Sequence, residues 1–331
     1  MPSLLATELD TLSAVSEFMD DREFLWFAPA WGVTRHTATK AITRYTGKSL
    51  LIYSFACGLK PSAAVCSEIA RLGRLDLLQL ARKNGCPWDD KTCSAAAEGG
   101  HLRVLQFARE NGCHWGARTC MMAAEGGHLQ VLQWARENRC PWNEASWYRA
   151  ARGGHVHVLR WAREAGCGGA SGTCMLAALG GRINVLRWAR ETGSQWSVHT
   201  CAMAARGGHL HVLRWMREEG CPWDARTCSE AACGGHLQVL QWARENGCPW
   251  DAVTAANAAR GGHLNILRWA RDNGCPWDAT TTANAARGCH LEILAWARRQ
   301  GCPWTAETTT AVLETAHPAV IDWARSNGYI V

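Results

Sequence analysis

Between residues 86 and 328 the apolar positions fall into two alternating helical stripes. Residues 86–112 read CPWDDKTCSAAAEGGHLRVLQFARENG. Asp89 is of the type that caps a helix, with a carboxylate able to accept first-turn N–H groups. Pro87 cannot continue a preceding helix. The spacing predicts a helix A over about 90–98, ended by Gly99 and Gly100, since glycine takes a left-handed cap without a Cβ clash. Trp88 and Cys93 then occupy the two positions that a hydrophobic staple joins. His101 opens a helix B, roughly 102–111, with Leu102, Val104, Leu105, Phe107 and Ala108 on its apolar side and Arg103, Gln106 and Glu110 opposite.

The same helix pair is written again and again. GGHLQVLQWAREN occupies 126–138 and returns at 234–246, an offset of 108, or 4 × 27. Histidine follows the double glycine at His101, His128, His155, His209, His236 and His263, and holds the same slot at His290 and His317, while Arg74 and Arg182 fill the two remaining slots. One tryptophan series runs through Trp134, Trp161, Trp188, Trp215, Trp242, Trp269, Trp296 and Trp323, with Phe107 at its head. A second runs through Trp88, Trp115, Trp142, Trp196, Trp223, Trp250, Trp277 and Trp304. Self-similarity at such a period marks a repeat architecture. Nine units of 27 residues cover 86–328, and a weaker one covers about 59–85, where Cys66, Gly73, Arg82 and Gly85 keep register. Two ten-residue helices bury too little surface to stand alone, so the units must stack on their neighbours. Helix A carries a small inner face, Ala96–Ala97 and its mates, that admits close helix approach. The expected architecture is an all-α solenoid of stacked helix-turn-helix units. Residues 1–45 form a helical N-terminal cap, 46–85 are degenerate repeats, 86–328 are the nine units and 329–331 are a tail.

The pattern TCxxAAxxGGHLxVLxWARENG resembles the ankyrin repeat: a Thr-led helix, paired Ala, Gly-His and a Leu-rich second helix. Ser or Thr leads helix A at Thr92, Thr119, Ser146, Thr173, Thr200, Thr227, Thr254, Thr281 and Thr308. The resemblance covers about 59–328, but the unit is 27 residues long, too short for the β-hairpin finger, and its Gly-Cys-Pro-Trp-Asp connector cannot make one. It is therefore similar to short, finger-less ankyrin-like repeats with a GCPW hallmark. The resemblance implies a scaffold that binds other proteins. In the N-terminal segment, LDTLSAVSEFMDDREFLWFAPAWGVTRH resembles an F-box, without the leading Leu-Pro or the Cys-x-x-Trp. That resemblance implies an alternative role as a substrate adaptor of a ubiquitin ligase.

Composition changes this picture little. With 47% hydrophobic and 19% charged residues the chain can bury a core. A net charge of +6 over 331 residues is far from the dense basic field of a nucleic-acid binder. Seventeen cysteines would mean disulfides in a small secreted chain, but no secretory leader is legible in MPSLLATELD, so reduced thiols are expected. The longest apolar run, SLLIYSFACGL at 49–59, is too short to span a bilayer. The expectation is a cytoplasmic or nuclear monomer, free of membrane.

The same lattice carries the residues able to do chemistry. Cys86/Cys93, Cys113/Cys120, Cys167/Cys174 and Cys221/Cys228 stand at C-x6-C spacing, unlike zinc knuckles, and are read as half-buried packing. The histidines are read as braces of their own turns. An arginine ladder from Arg82 and Arg109 to Arg325 could track a phosphate backbone, which makes a repeat-type nucleic-acid binder a second alternative. Carboxylates such as Glu110, Glu137 and Glu164 follow most of these arginines and balance the stripe. No catalytic residue, cofactor or metal site is expected. Partner binding should use the positions that packing leaves free to vary, and these lie on the outer face of helix A, which ankyrin-like stacks make concave. They comprise Lys91, Ser94 and Glu98; Arg118, Met121, Met122 and Glu125; Tyr148, Arg149 and Arg152; and Met175, Leu176 and Leu179. Further along come His199, Met203 and Arg206; Arg226, Ser229 and Glu230; Asn257 and Arg260; and Asn284 and Arg287. An apolar middle and an arginine-rich end would suit a partner with an apolar centre and an acidic end.

Overall fold

The structure, a computed structural model, describes residues 62–167 and 172–330. The N-terminal cap and its F-box-like stretch lie outside the described residues, as does the apolar run at 49–59. Among the described residues every regular element is an α-helix, and the helices come in pairs. In chain order they are α1 (Ala63–Arg71) with α2 (Leu75–Lys83), α3 (Asp90–Glu98) with α4 (Leu102–Glu110), α5 (Ala117–Gly126) with α6 (Leu129–Glu137), and α7 (Glu144–Gly153) with α8 (Val156–Glu164). Next come α9 (Thr173–Leu179) with α10 (Ile183–Glu191), α11 (Val198–Arg206) with α12 (Leu210–Glu218), and α13 (Ala225–Cys233) with α14 (Leu237–Glu245). The last are α15 (Ala252–Arg260) with α16 (Leu264–Asp272), α17 (Ala279–Arg287) with α18 (Leu291–Arg299), and α19 (Ala306–Thr315) with α20 (Pro318–Ser326). Odd numbers are helix A and even numbers helix B. The chain divides into two compact units, one of Met1–Ala150 and His157–Gly168, the other of Ala151–Val156 and Gly169–Val331. Each is a stack of finger-less, ankyrin-like helix pairs.

Helix A begins where the connector supplies a cap. The side chains of Asp89, Asp224, Asp251 and Asp278 accept from the N–H two residues on, at 2.9–3.1 Å. Ser197 and Thr305 cap through a box with Thr200 and Thr308. Gly116 stands in the same slot with φ −151° and no side chain to cap with. Successive first helices stack through their alanine pairs. Ala96, Ala97, Ala123 and Ala124 in one unit, and Ala204, Ala205, Ala231 and Ala232 in the other, are wholly buried. Helix B contributes the larger core side chains, Leu105, Leu132, Leu213 and Leu240 among them.

The histidine works between repeats, not within its own turn as the sequence suggested. His101 Nε2 donates to the main-chain carbonyl of Arg71, thirty residues back, at 3.0 Å. His128, His209, His236, His263 and His290 repeat the bond to Glu98, Leu179, Arg206, Cys233 and Arg260 at 2.9–3.2 Å. Arg182, in the histidine slot, makes it through Nε to Arg152 at 3.0 Å. The acceptor in each case is a carbonyl in the last turn of the preceding helix A, a group the helix itself leaves without a partner. A carbonyl can only accept, so Nε2 carries a proton in this bond.

This bond also explains the double glycine. Only the second glycine is left-handed, Gly100 having φ 76° and Gly99 φ −79°. A Cβ on Gly99 would lie 2.4 Å from the Arg71 carbonyl oxygen and 2.5 Å from the His101 ring. A Cβ on Gly100 would meet His128 at 2.5 Å. Each ring thus lies between its own first glycine and the second glycine of the unit before. Cys289 takes the second-glycine slot with φ 57°, a strained choice for a side-chain residue.

Trp88 has two partners that the sequence did not point to. Trp88 makes edge contact with Phe107 at 6.1 Å, and the Arg82 guanidinium lies over its ring at 4.0 Å. The pattern recurs with Trp115–Trp134, Trp223–Trp242 and Trp250–Trp269 at 5.5–5.8 Å, under Arg109, Arg217 and Arg244 at 4.2–4.4 Å. The arginine ladder is therefore a clamp. Arg136 and Arg271 donate to the carbonyls of Cys140 and Cys275 at 2.8 and 2.6 Å, and Arg217 and Arg244 make the same bond to Cys221 and Cys248. Tyr329, in the expected tail, stacks on Trp304 at 4.3 Å beneath Arg298.

Two outcomes are expected. Gly116→Asp supplies the missing cap in a conformation open to any residue, where a Cβ meets nothing within 4 Å. It should stabilise the fold by about 0.5–1 kcal/mol in urea denaturation. His209 should make stability pH-dependent. Burial, then His211, His236 and Arg182 nearby, hold its pKa below the ordinary histidine value. With the folded pKa depressed, its contribution is complete above about pH 6.5 and is lost as pH falls through the folded value. The urea midpoint of the wild type should fall on that acid side more steeply than that of His209→Asn; equal slopes would acquit His209.

Candidate protein-binding face

Helix A turns three columns of side chains outward, spaced i, i+4 and i+7, and the sequence-predicted site residues divide among them. The first column, with Arg118, His199 and Arg226, is exposed, and so is most of the last, with Glu98, Arg152, Arg206, Arg260 and Arg287. Between them Met122, Arg149, Leu176, Met203, Asn257 and Asn284 are half-buried. Asn257 Nδ2 and Asn284 Nδ2 donate to the carbonyls of Ser229 and Ala256 on the preceding helix A, each at 3.4 Å. A fourth column differs from the sequence reading. Ser94 and Ser229 were expected on the outer face and are buried, their hydroxyls turned to the carbonyls of Lys91 and Arg226 at 3.1 Å. That slot faces the neighbouring helix A, so only the longer side chains there, Met121, Tyr148 and Met175, emerge.

The unit holding Glu98 to Arg149 is polar. Arg149 grips both carboxylate oxygens of Glu125 at 2.8 Å, across consecutive repeats. Tyr148 donates to Glu144 at 3.4 Å, while Met121 and Met122 lie half-buried. The second unit carries an apolar group on this face. Met175 is 36% exposed, and Leu176, Leu179 and Met203 are half-buried on the same helix and the next. Beyond them the face turns cationic. Arg226 hydrogen-bonds His199 at 2.9 Å and faces Asp224 at 3.8 Å. Arg206 pairs with Glu230 at 3.5 Å and Arg287 with Glu307 at 3.0 Å. Arg260 has no ion pair among the described residues, and Val253 stands 51% exposed on its helix.

Comparison with solved structures finds similar helical repeats. The crystal structure of the human ASB11 ankyrin repeat domain is similar to this chain with TM-score 0.36 and 16% identity, over 52% of this chain and 97% of that one. At that level the helix pairs themselves, and not the likeness, carry the fold. No family model and no curated protein matches the sequence.

The cysteines pair differently from the C-x6-C expectation. Cys93 hydrogen-bonds Cys113, the connector cysteine of the next repeat, and Cys113 Sγ donates to the Asp89 carbonyl at 3.1 Å. Cys120 with Cys140, and Cys228 with Cys248, repeat this. The inner side of helix A meets the connector that follows the repeat, which brings residues twenty apart together. All six thiols are buried, not half-buried. Giving a hydrogen bond to the neighbouring sulfur, with burial added, pushes the Cys93 thiol up and leaves Cys113 lowered. Both protons of each pair are held inside the protein, a packing arrangement. Among the described residues no cluster of three or more His, Cys, Asp or Glu side chains could hold a metal ion, and no helix is long and apolar enough to cross a membrane.

Sequence reasoning missed a recurring groove between successive second helices. One is lined by Arg214, Arg217, Glu218, Trp223, Trp242 and Asn246, with a volume of about 400 Å³. The next, of about 320 Å³, is lined by Gln241, Arg244, Glu245, Trp250, Trp269 and Asn273. Each second set is the first shifted by 27 residues, so the signal lay in the lattice itself.

The Arg149–Glu125 pair is 39% and 41% exposed, so solvent screens it. Arg149→Gln should change unfolding free energy by less than about 1 kcal/mol; a larger loss in urea titration would make the pair structural.

Proposed function

We propose that this protein is a non-catalytic scaffold that binds another protein through the outer face of its first helices. The observation that carries the reading is the apolar group Met175, Leu176, Leu179 and Met203, followed along the same unit by Arg206, Arg226, Arg260 and Arg287. Packing does not require it: the Met175 slot holds Ala202, Ala256 and Ala283 elsewhere in that unit, and all three are buried. Methionine adapts its shape to a partner at low cost, and exposed guanidiniums select carboxylates. The partner is therefore a protein presenting an apolar anchor beside acidic residues. The Nε2–H of each bracing histidine is occupied and the paired thiols are buried and hydrogen-bonded, which leaves these repeated groups without an open chemical role.

Affinity capture with the whole chain as bait tests this. Met175→Lys with Met203→Lys, shown to be folded by circular dichroism, should weaken at least one captured protein by about tenfold. Recovery of the same proteins in the same amounts would place the site elsewhere. A bait lacking residues 1–45 belongs in the same experiment: loss of ubiquitin-ligase components from that bait alone would favour the adaptor reading.

A further inference from the structure

Three arginines on the second helices have no hydrogen-bonding partner among the described residues. Arg187, Arg214 and Arg268 are exposed, and their guanidiniums lie over Trp215, Trp242 and Trp296 of the following repeats at 5.6–5.8 Å. They make no hydrogen bond or ion pair among the described residues. The clamp arginines are different, since Arg217 and Arg271 give an N–H to the connector carbonyl. Nor do the free three hold the fold, because Gln241 stands in the same slot in the repeat between Arg214 and Arg268, with its groove intact. A guanidinium stacked on an indole keeps its N–H edge toward solvent and loses little freedom on binding an oxyanion.

From this we propose a second binding surface, the row of tryptophan-floored grooves between successive second helices, with an extended acidic peptide as its ligand. Two features select that ligand. Neighbouring packed helices lie about 8–10 Å apart, and three residues of polyproline II rise about 9 Å. One acidic side chain in every three therefore meets one groove per repeat. A helical ligand, at about 10–12 Å across, is too wide for a groove of about 400 Å³. The second feature is charge. The groove of Arg214 and Arg217 also holds Glu218, and Asp272 follows Arg271 in the corresponding repeat. Those carboxylates oppose a strand with phosphate at every residue, but accommodate a peptide whose charges are spaced and whose N–H groups can donate to them. The surface lies on the second helices and is independent of the first-helix face.

The test uses the whole chain and a synthetic peptide of Glu-Pro-Pro repeats, which holds the polyproline II form. Binding is read by tryptophan fluorescence and by anisotropy of a labelled peptide. The wild type should bind this peptide about tenfold more tightly than Glu-Pro repeats, whose charges come every second residue, or Lys-Pro-Pro repeats, and affinity should fall with salt. Arg187→Gln, Arg214→Gln and Arg268→Gln together should weaken binding by about tenfold or more. Gln241→Arg should strengthen it, and Met175→Lys with Met203→Lys should leave it unchanged. Should the triple variant fail to fold by circular dichroism, Arg214→Gln alone is expected to weaken binding severalfold. Equal binding of the three peptides, or no effect of the arginine variants, would overturn the proposal. Tighter binding of polyuridylate than of the acidic peptide would overturn it in favour of a nucleic-acid groove.

Discussion

One hydrogen bond organises each stack: an imidazole N–H given to a main-chain carbonyl thirty residues behind it. The acceptor is an orphan of the preceding helix end, a carbonyl that the helix itself leaves without a partner. The bond therefore both satisfies that helix and fixes the offset of the next. Its geometry sets the sequence around it. The ring must pass between two backbones, so both neighbouring positions lose their Cβ, and a double glycine results. Arg182 shows that the requirement is for a donor at that point and not for imidazole chemistry, since its Nε makes the same bond.

The far end of each second helix is held by a second device. An arginine donates to the carbonyl of the cysteine four residues on and lies across the tryptophan six residues on. That tryptophan meets the tryptophan of the following helix edge-on. The connector cysteine turns inward to the thiol of the preceding first helix. Connector, helix end and neighbouring repeat are thus joined through the cysteine and tryptophan of the connector, although Ala255 and Thr282 take the place of the first-helix thiol opposite Cys275 and Cys302. With both ends of each helix pair fixed, the outer side chains of the first helix are free to differ from repeat to repeat.

That freedom has been used unevenly. In one unit the outer columns hold the Arg149–Glu125 pair and half-buried methionines, and the surface is largely self-satisfied. In the other, methionine and leucine occupy slots that alanine fills elsewhere, and several arginines follow them. The second helices show a similar contrast, with glutamine or arginine in one slot and the same groove beneath. Variation laid over a fixed frame is the condition for recognition in a repeat protein.

The repeat unit, its two helices, their caps and the inward alanine pairs were legible in the sequence, because helix period, capping chemistry and glycine conformation are local properties. So was the existence of variable outer positions. What each conserved residue touches was not legible. The histidine was read as bracing its own turn, cysteines seven apart were grouped together, and Trp88 was assigned to a staple with Cys93. The histidine and cysteine partners belong to neighbouring repeats, thirty and twenty residues away, and Trp88 meets Phe107 at the far end of its own repeat, nineteen residues on. A lattice of identical spacings makes partners in the same repeat and in the next equally consistent with the letters. Only the stacking of helices in three dimensions, which sets the offset between repeats, chooses between them.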